Sequence, residues 1–80
     1  MIADDEIRPE HGFGYRLQMA RKLAGLSRAQ LARRIDVTDR DVRRWETGQR
    51  QNPRLRCVVE LAKVLSVTID WLVAGKEEKA

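Results

Sequence analysis

The chain has eighty residues, with sixteen Lys and Arg against twelve Asp and Glu, a net charge of +4, one cysteine and one histidine. That length gives one small domain with a modest core. A lone Cys57 excludes an intrachain disulfide and, with no His or Cys beside it, a structural zinc site. No apolar run of about 18 residues is present to span a bilayer. Met1-Ile2 followed by Asp4, Asp5 and Glu6 does not read as a signal peptide, so a reduced cytoplasmic setting is expected.

The charge is unevenly placed. Residues 1–15 hold one base and four acids, residues 16–56 twelve bases and four acids, and residues 57–80 three bases and four acids. Eleven of the twelve central bases are arginine, whose planar fork suits phosphates and guanine edges better than a lysine point charge. A solvated helical surface would also carry charge. Positive charge concentrated in one stretch is the usual footprint of a nucleic-acid binder.

Taken in chain order, residues 1–12 read as a flexible acidic lead-in, with Pro9, a solvated His11 and the Gly12-Phe13-Gly14 step. Phe13, Leu17, Ala20 and Ala24 then recur at helical spacing with Leu23 beside them, and Gly25 supplies a stop. Ser27 with Gln30 three residues on is a capping box, stapled by Leu26 and Leu31. The same start recurs at Thr38 with Asp41, stapled by Val37 and Val42, and at Thr68, stapled by Val67 and Leu72. A fourth helix opens with Asn52 as cap and Pro53 at its first position, and its apolar face runs Leu55, Val58, Ala62, Leu65 with Val59 and Leu61 alongside. Gly48 and Gly75 fall where the third and fifth helices should end, and residues 76–80 read as a polar tail. The expectation is an all-α fold, a compact bundle of about five helices over residues 13–75, with a core of Leu, Val, Ile and Ala. Cys57 reads as a small semi-buried filler, and Trp45 and Trp71 as core.

Helices two and three are separated only by Ile35-Asp36-Val37, so they must cross steeply. Ala32 is the small residue such a crossing requires, with Leu31 and Ile35 flanking it and Val42 and Trp45 facing it. This stretch, SRAQLARRIDVTDRDVRRWETG, resembles the helix-turn-helix of the Xre and lambda-repressor-like (Cro-type) regulators of bacteria and phages. LAKVLSVTIDWLVAG is similar to that family's closing helices, and the resemblance covers roughly residues 16 to 75. It implies a five-helix domain that binds double-stranded DNA, usually as a homodimer on a palindromic operator, with its third helix in the major groove. It further implies a transcriptional regulator, a repressor in preference to an activator, of bacterial or phage origin and nucleoid-associated when bound. Two departures stand out. Asp36 replaces a frequent glycine in the turn, and Arg28 a frequent glutamine at the start of helix two.

With Val42, Trp45 and Glu46 inward and about 100° per residue, Arg40, Arg44 and Thr47 point outward, Arg43 lies on a flank, and Asp39 and Asp41 on opposite flanks. Asp41 reads as a helix starter that also complements the macrodipole. Asp39 either accepts from cytosine N4 as a base reader or only stabilises the helix start or pairs with an arginine. Arg40 and Arg44 are the candidates for bidentate contact with guanine. Arg28, Thr38, Arg43, Thr47, Gln49, Arg50 and Gln51 are candidates for phosphate contact, with Ser27 offering its backbone N–H or serving as a plain cap. By resemblance, Arg21 and Glu46 form a charged pair beneath the reading surface. Trp71 or Leu72 could instead contribute to a dimer contact.

An enzyme is not expected. No nucleophile–base set, metal-spaced ligands or glycine-rich phosphate loop is present, and no cofactor is implied. The competing reading is a protein-interaction module of the same fold, such as an antitoxin that binds a toxin. The arginines gathered around helix three favour DNA.

Overall fold

In the computed structural model, residues 12–50 and 53–75 are described. They form five helices: α1 (Phe13–Leu23), α2 (Arg28–Arg34), α3 (Asp39–Thr47), α4 (Leu55–Leu65) and α5 (Ile69–Ala74). There is no strand among the described residues. Three of the starts are fixed locally. The Ser27 Oγ accepts from the Gln30 N–H at 3.0 Å, while the Gln30 Oε1 accepts from the Ser27 N–H at 2.8 Å. Thr38 and Asp41 exchange the equivalent pair of bonds, both at 3.1 Å. The Thr68 Oγ1 accepts from the Trp71 N–H at 3.0 Å. Each box satisfies backbone donors that a helix start otherwise leaves unpaired.

The three tight turns share one construction. Gly25-Leu26-Ser27, Asp36-Val37-Thr38 and Ser66-Val67-Thr68 each place a residue at positive φ (74°, 62° and 58°), then an apolar residue, then a cap. The apolar residue's N–H reaches back to close the preceding helix: Leu26 to the Arg21 carbonyl at 3.2 Å, Val37 to that of Ala32 at 3.0 Å, and Val67 to that of Ala62 at 3.0 Å. This is the closure of a Schellman motif. Leu26, Val37 and Val67 all pack against the core, so each turn residue also holds two helices together.

The core is lined by Leu17, Leu31, Ile35, Val42, Leu61 and Leu72, with Ala20, Ala32, Trp45, Cys57 and Leu65 around them. Each fully buried Leu, Ile or Val contributes roughly 1.5–3 kcal/mol. Helix α1 crosses α3 closely enough that a Cβ on Gly14 would stand 2.5 Å from the Trp45 carbonyl oxygen and 2.8 Å from that of Glu46. At the other side of α1 the buried Arg16 donates from Nε to the Leu72 carbonyl at 3.0 Å and from Nη2 to that of Val73 at 2.9 Å. These bonds tie the end of α5 to α1 and supply donors for carbonyls that α5 cannot pair itself. Burial lowers the Arg16 pKa from its usual value.

Several expectations need correction. Gly14 lies within α1, at its crossing with α3, and not in a lead-in. Leu23 is 82% exposed and Leu55 75% exposed, so neither belongs to the apolar face assigned to its helix. Helix α4 starts at Leu55 after an extended Arg54 (φ −61°, ψ 151°) that makes no side-chain cap, two residues later than a start at Pro53. A proline fixes its own φ but leaves the next residue free to stay extended. Asn52, His11 and Gln51 lie outside the described residues. Cys57 is fully buried and not semi-buried, whereas Trp71 is half-buried against the edge of the core. Leu72 is wholly buried, which removes it from any dimer contact.

Candidate nucleic-acid interface

The turn at Asp36 lets α2 and α3 cross, and Ala32, almost fully buried, keeps their contact tight. The opposite side of α3 is left to solvent. Its N-cap Thr38, its first residue Asp39, then Arg40, Arg43 and Thr47 are exposed, while Arg44 is half-buried. Arg40, Arg43, Arg44, Thr47 and Gln49 line one shallow open groove along this face. Arg44 therefore lies lower than the angular count suggests. Its carbonyl accepts from the Arg50 N–H at 3.1 Å and from the Thr47 Oγ1 at 3.4 Å. The first bond folds the segment after Gly48 back along α3 and brings Arg50 beside the helix.

Asp41 is held at the start of α3. Accepting the Thr38 backbone N–H lowers its carboxyl pKa, and the Thr38 hydroxyl, Arg50 and Arg44 act in the same direction against a smaller opposing effect of burial. Its role is thus to build the helix from which the arginines project. Asp39 takes no part in that box and stays exposed on the first turn.

The inward side of α3 is anchored by charge. The Glu46 side chain is wholly buried (0% exposed) and accepts from the Arg21 Nε at 2.6 Å and the Arg21 Nη2 at 3.2 Å. Arg21 also donates from Nη1 to the Leu26 carbonyl at 2.8 Å, so one guanidinium binds α1, α3 and the α1–α2 turn. A third partner carries no signal in the sequence. The Arg28 Nε donates to the Glu46 Oε1 at 2.9 Å. Residues 28 and 46 lie on different helices, so no local spacing announces the contact.

Ser27 differs from one of its two readings. Its backbone N–H is engaged by the Gln30 Oε1, so Ser27 acts as a cap and does not offer that donor to a phosphate. The Thr38 N–H is similarly engaged by Asp41. Two further arginines, Arg54 and Arg56, stand near this surface. Arg54 precedes α4, and with Arg50 it borders a second groove beside Thr38 and Asp41. Arg56 donates from Nη1 to the Ile35 carbonyl at 3.3 Å, which joins α4 to the end of α2.

A steep two-helix unit with a basic outward helix, braced by three others, defines a helix-turn-helix domain. The chain belongs to the helix-turn-helix family, whose model matches residues 17–72. The fold is that of DNA-binding regulator domains and not of enzymes. The P22 c2 repressor protein, solved in complex with a synthetic operator, superposes with a TM-score of 0.75 at 25% identity, over 80% of this chain and 96% of that one. The N-terminal DNA-binding domain of SinR from Bacillus subtilis gives 0.73 at 25% identity, over 85% and 96%. In sequence, the chain is 34% identical over 65 residues to the HTH-type transcriptional activator BcrR of Enterococcus faecalis. That match takes in 81% of this chain but 31% of the relative, so the chain spans about a third of that protein's length.

Proposed function

We propose that this chain binds duplex DNA sequence-specifically through α3 and acts as a transcriptional regulator. The observation that carries the reading is the two-sided character of α3. Glu46 locks one side into the fold, and Arg40, Arg43, Arg44, Thr47 and Gln49 share one open groove on the other. Arg40 and Arg44 read bases, with Asp39 selecting cytosine through its N4 amino group. Arg28, Thr38, Arg43, Thr47, Gln49, Arg50 and Gln51 hold the phosphates and set register. The domain spans residues 13–75. Among the described residues no helix is long and apolar enough to cross a membrane, which accords with a cytoplasmic regulator.

The chain acts as a homodimer on a palindromic operator, with two copies of α3 about 34 Å apart. Ile69 and Val73, one helical turn apart on α5, are both exposed, and this apolar pair supports a dimer contact through α5. Repression is the preferred outcome, since a bound dimer obstructs polymerase without any further surface.

The experiment is selection of bound sequences from a random duplex pool, repeated with Arg40→Ala plus Arg44→Ala. The parent should enrich a palindrome, and the variant should lose base preference while keeping salt-dependent binding. Each good bidentate contact removed costs about 1–3 kcal/mol of discrimination. Unchanged preference in the variant would show that other residues read the bases.

A further inference from the structure

Glu46 is surrounded by more positive charge than it can neutralise. Its Oε2 takes the Arg21 Nε, and its Oε1 takes both the Arg21 Nη2 at 3.2 Å and the Arg28 Nε at 2.9 Å. One buried carboxylate thus faces two guanidinium groups and leaves one unit of positive charge in excess. The two arginines are not equivalent. The Arg21 side chain is 9% exposed and also donates to the Leu26 carbonyl, so it is committed to the interior. The Arg28 side chain is 34% exposed, and the excess charge lies where solvent or a ligand can reach it.

We infer that Glu46 is a positioning residue for DNA: by accepting the Arg28 Nε–H it aims the arginine's terminal amino groups at a backbone phosphate. The inference deepens the DNA-binding reading and rests on it. A guanidinium is planar and carries five N–H groups in a fixed fork. Fastening Nε fixes the plane of that fork, with its terminal edge turned away from the anchoring carboxylate. Two parallel N–H groups on that edge match two phosphate oxygens. The rotamer entropy of a long side chain is then lost during folding and not during binding. Because Glu46 belongs to α3 and Arg28 to α2, the same carboxylate fixes the phosphate contact relative to the reading helix.

The test separates orientation from charge. Arg28→Lys keeps the charge but has neither the Nε donor nor the fork. Arg28→Gln removes the charge. Affinity for the selected operator is measured by fluorescence anisotropy from about 50 to 200 mM salt, a range over which phosphate contacts weaken strongly. Arg28→Lys should weaken binding roughly tenfold with a nearly unchanged salt slope, as expected for the loss of a bidentate contact with charge retained. Arg28→Gln should weaken it further and reduce the slope by about one. Glu46→Gln, introduced alone and with Arg28→Ala, should cost less affinity when Arg28 is already absent; equal costs would mean that Glu46 affects DNA only through the fold. Should Glu46→Gln fail to fold by circular dichroism, Arg28→Lys decides. Parent-like affinity for Arg28→Lys, with the parent still binding its operator, would overturn the clamp alone. A parent that binds no duplex at any salt would overturn the clamp and the DNA reading together.

Discussion

Asp41 and Glu46 are both acids on the helix proposed to meet DNA, and they are there for opposite reasons. Asp41 sits at the surface, where its carboxylate takes the Thr38 N–H, and that bond depresses its pKa. A carboxyl whose pKa is lower folded than unfolded stabilises the fold above the unfolded value and ceases to do so as pH falls through the folded one. Melting temperature should therefore decline as pH drops below about 4, the ordinary range of an aspartate. Asp41→Asn should decline less steeply over the same interval, and parallel melting-versus-pH curves would exclude Asp41 as the source. Glu46 is buried, so its removal acts through desolvation and not capping. Glu46→Gln leaves the Arg21 guanidinium without its counter-charge, a change that costs about 3–5 kcal/mol in buried pairs. Against the 5–15 kcal/mol of a typical domain that is a large fraction, and denaturant titration should show it directly. The Arg21–Glu46 pair was suggested by family resemblance and the capping role of Asp41 by local spacing. The Arg28–Glu46 bond had neither signal, since it joins residues eighteen positions apart on separate helices.

At the scale of the element, the most legible features are those written within four residues. The boxes at Ser27–Gln30 and Thr38–Asp41 are such features, and so are the αL stops at Gly48 and Gly75. The start of α4 is not legible from Pro53, because proline only permits a first helical position, and Arg54 stays extended after it. Leu23 and Leu55 follow helical spacing but lie on ends that no neighbouring helix covers, which a period alone does not reveal. Gly14 is the clearest case of information absent from local sequence, since its need arises only where α1 meets the backbone of α3. Alanine there would gain up to about 1 kcal/mol of helix propensity. It would also set a Cβ 2.5 Å from a backbone oxygen that has no side-chain freedom to yield. Overpacking of this kind costs about 1–3 kcal/mol, so Gly14→Ala should be net destabilising. Because the clash falls on Trp45 and Glu46, it should also displace α3 and weaken operator binding at temperatures where the variant remains folded. Urea titration and anisotropy together check both effects, and a parent-like variant in both would show that α1 can draw back without moving α3.

For the whole molecule, the proposed function requires that one domain of this size gain operator specificity. A single α3 reaches only a few base pairs, and its phosphate contacts bind any duplex. Two copies on one operator multiply the readout, provided that they hold each other at a spacing of about one helical turn. Ile69 and Val73 are the large exposed apolar residues of α5, with Leu72 between them committed to the core and Arg16 fastening the helix end to α1. That anchoring holds the end of α5 against α1, so substitutions on its outer side need not disturb the interior. Exposed positions ordinarily change stability by no more than about 0.5 kcal/mol each. Ile69→Glu plus Val73→Glu should therefore melt close to the parent while placing like charges and lost apolar area at the proposed two-fold contact, where each residue is counted twice. Binding to a half-site duplex should be unaffected, and binding to the full palindrome should fall at least tenfold, a coupling of about 1.4 kcal/mol. Anisotropy on both duplexes, with sedimentation of the free protein, measures this directly. Equal losses on half-site and full site would place the effect on α3 and not on assembly. No loss on either would move the dimer contact away from α5, and the alternative apolar surface is then the groove between α1 and the end of α4, where Met19, Leu23, Val64 and Trp71 meet.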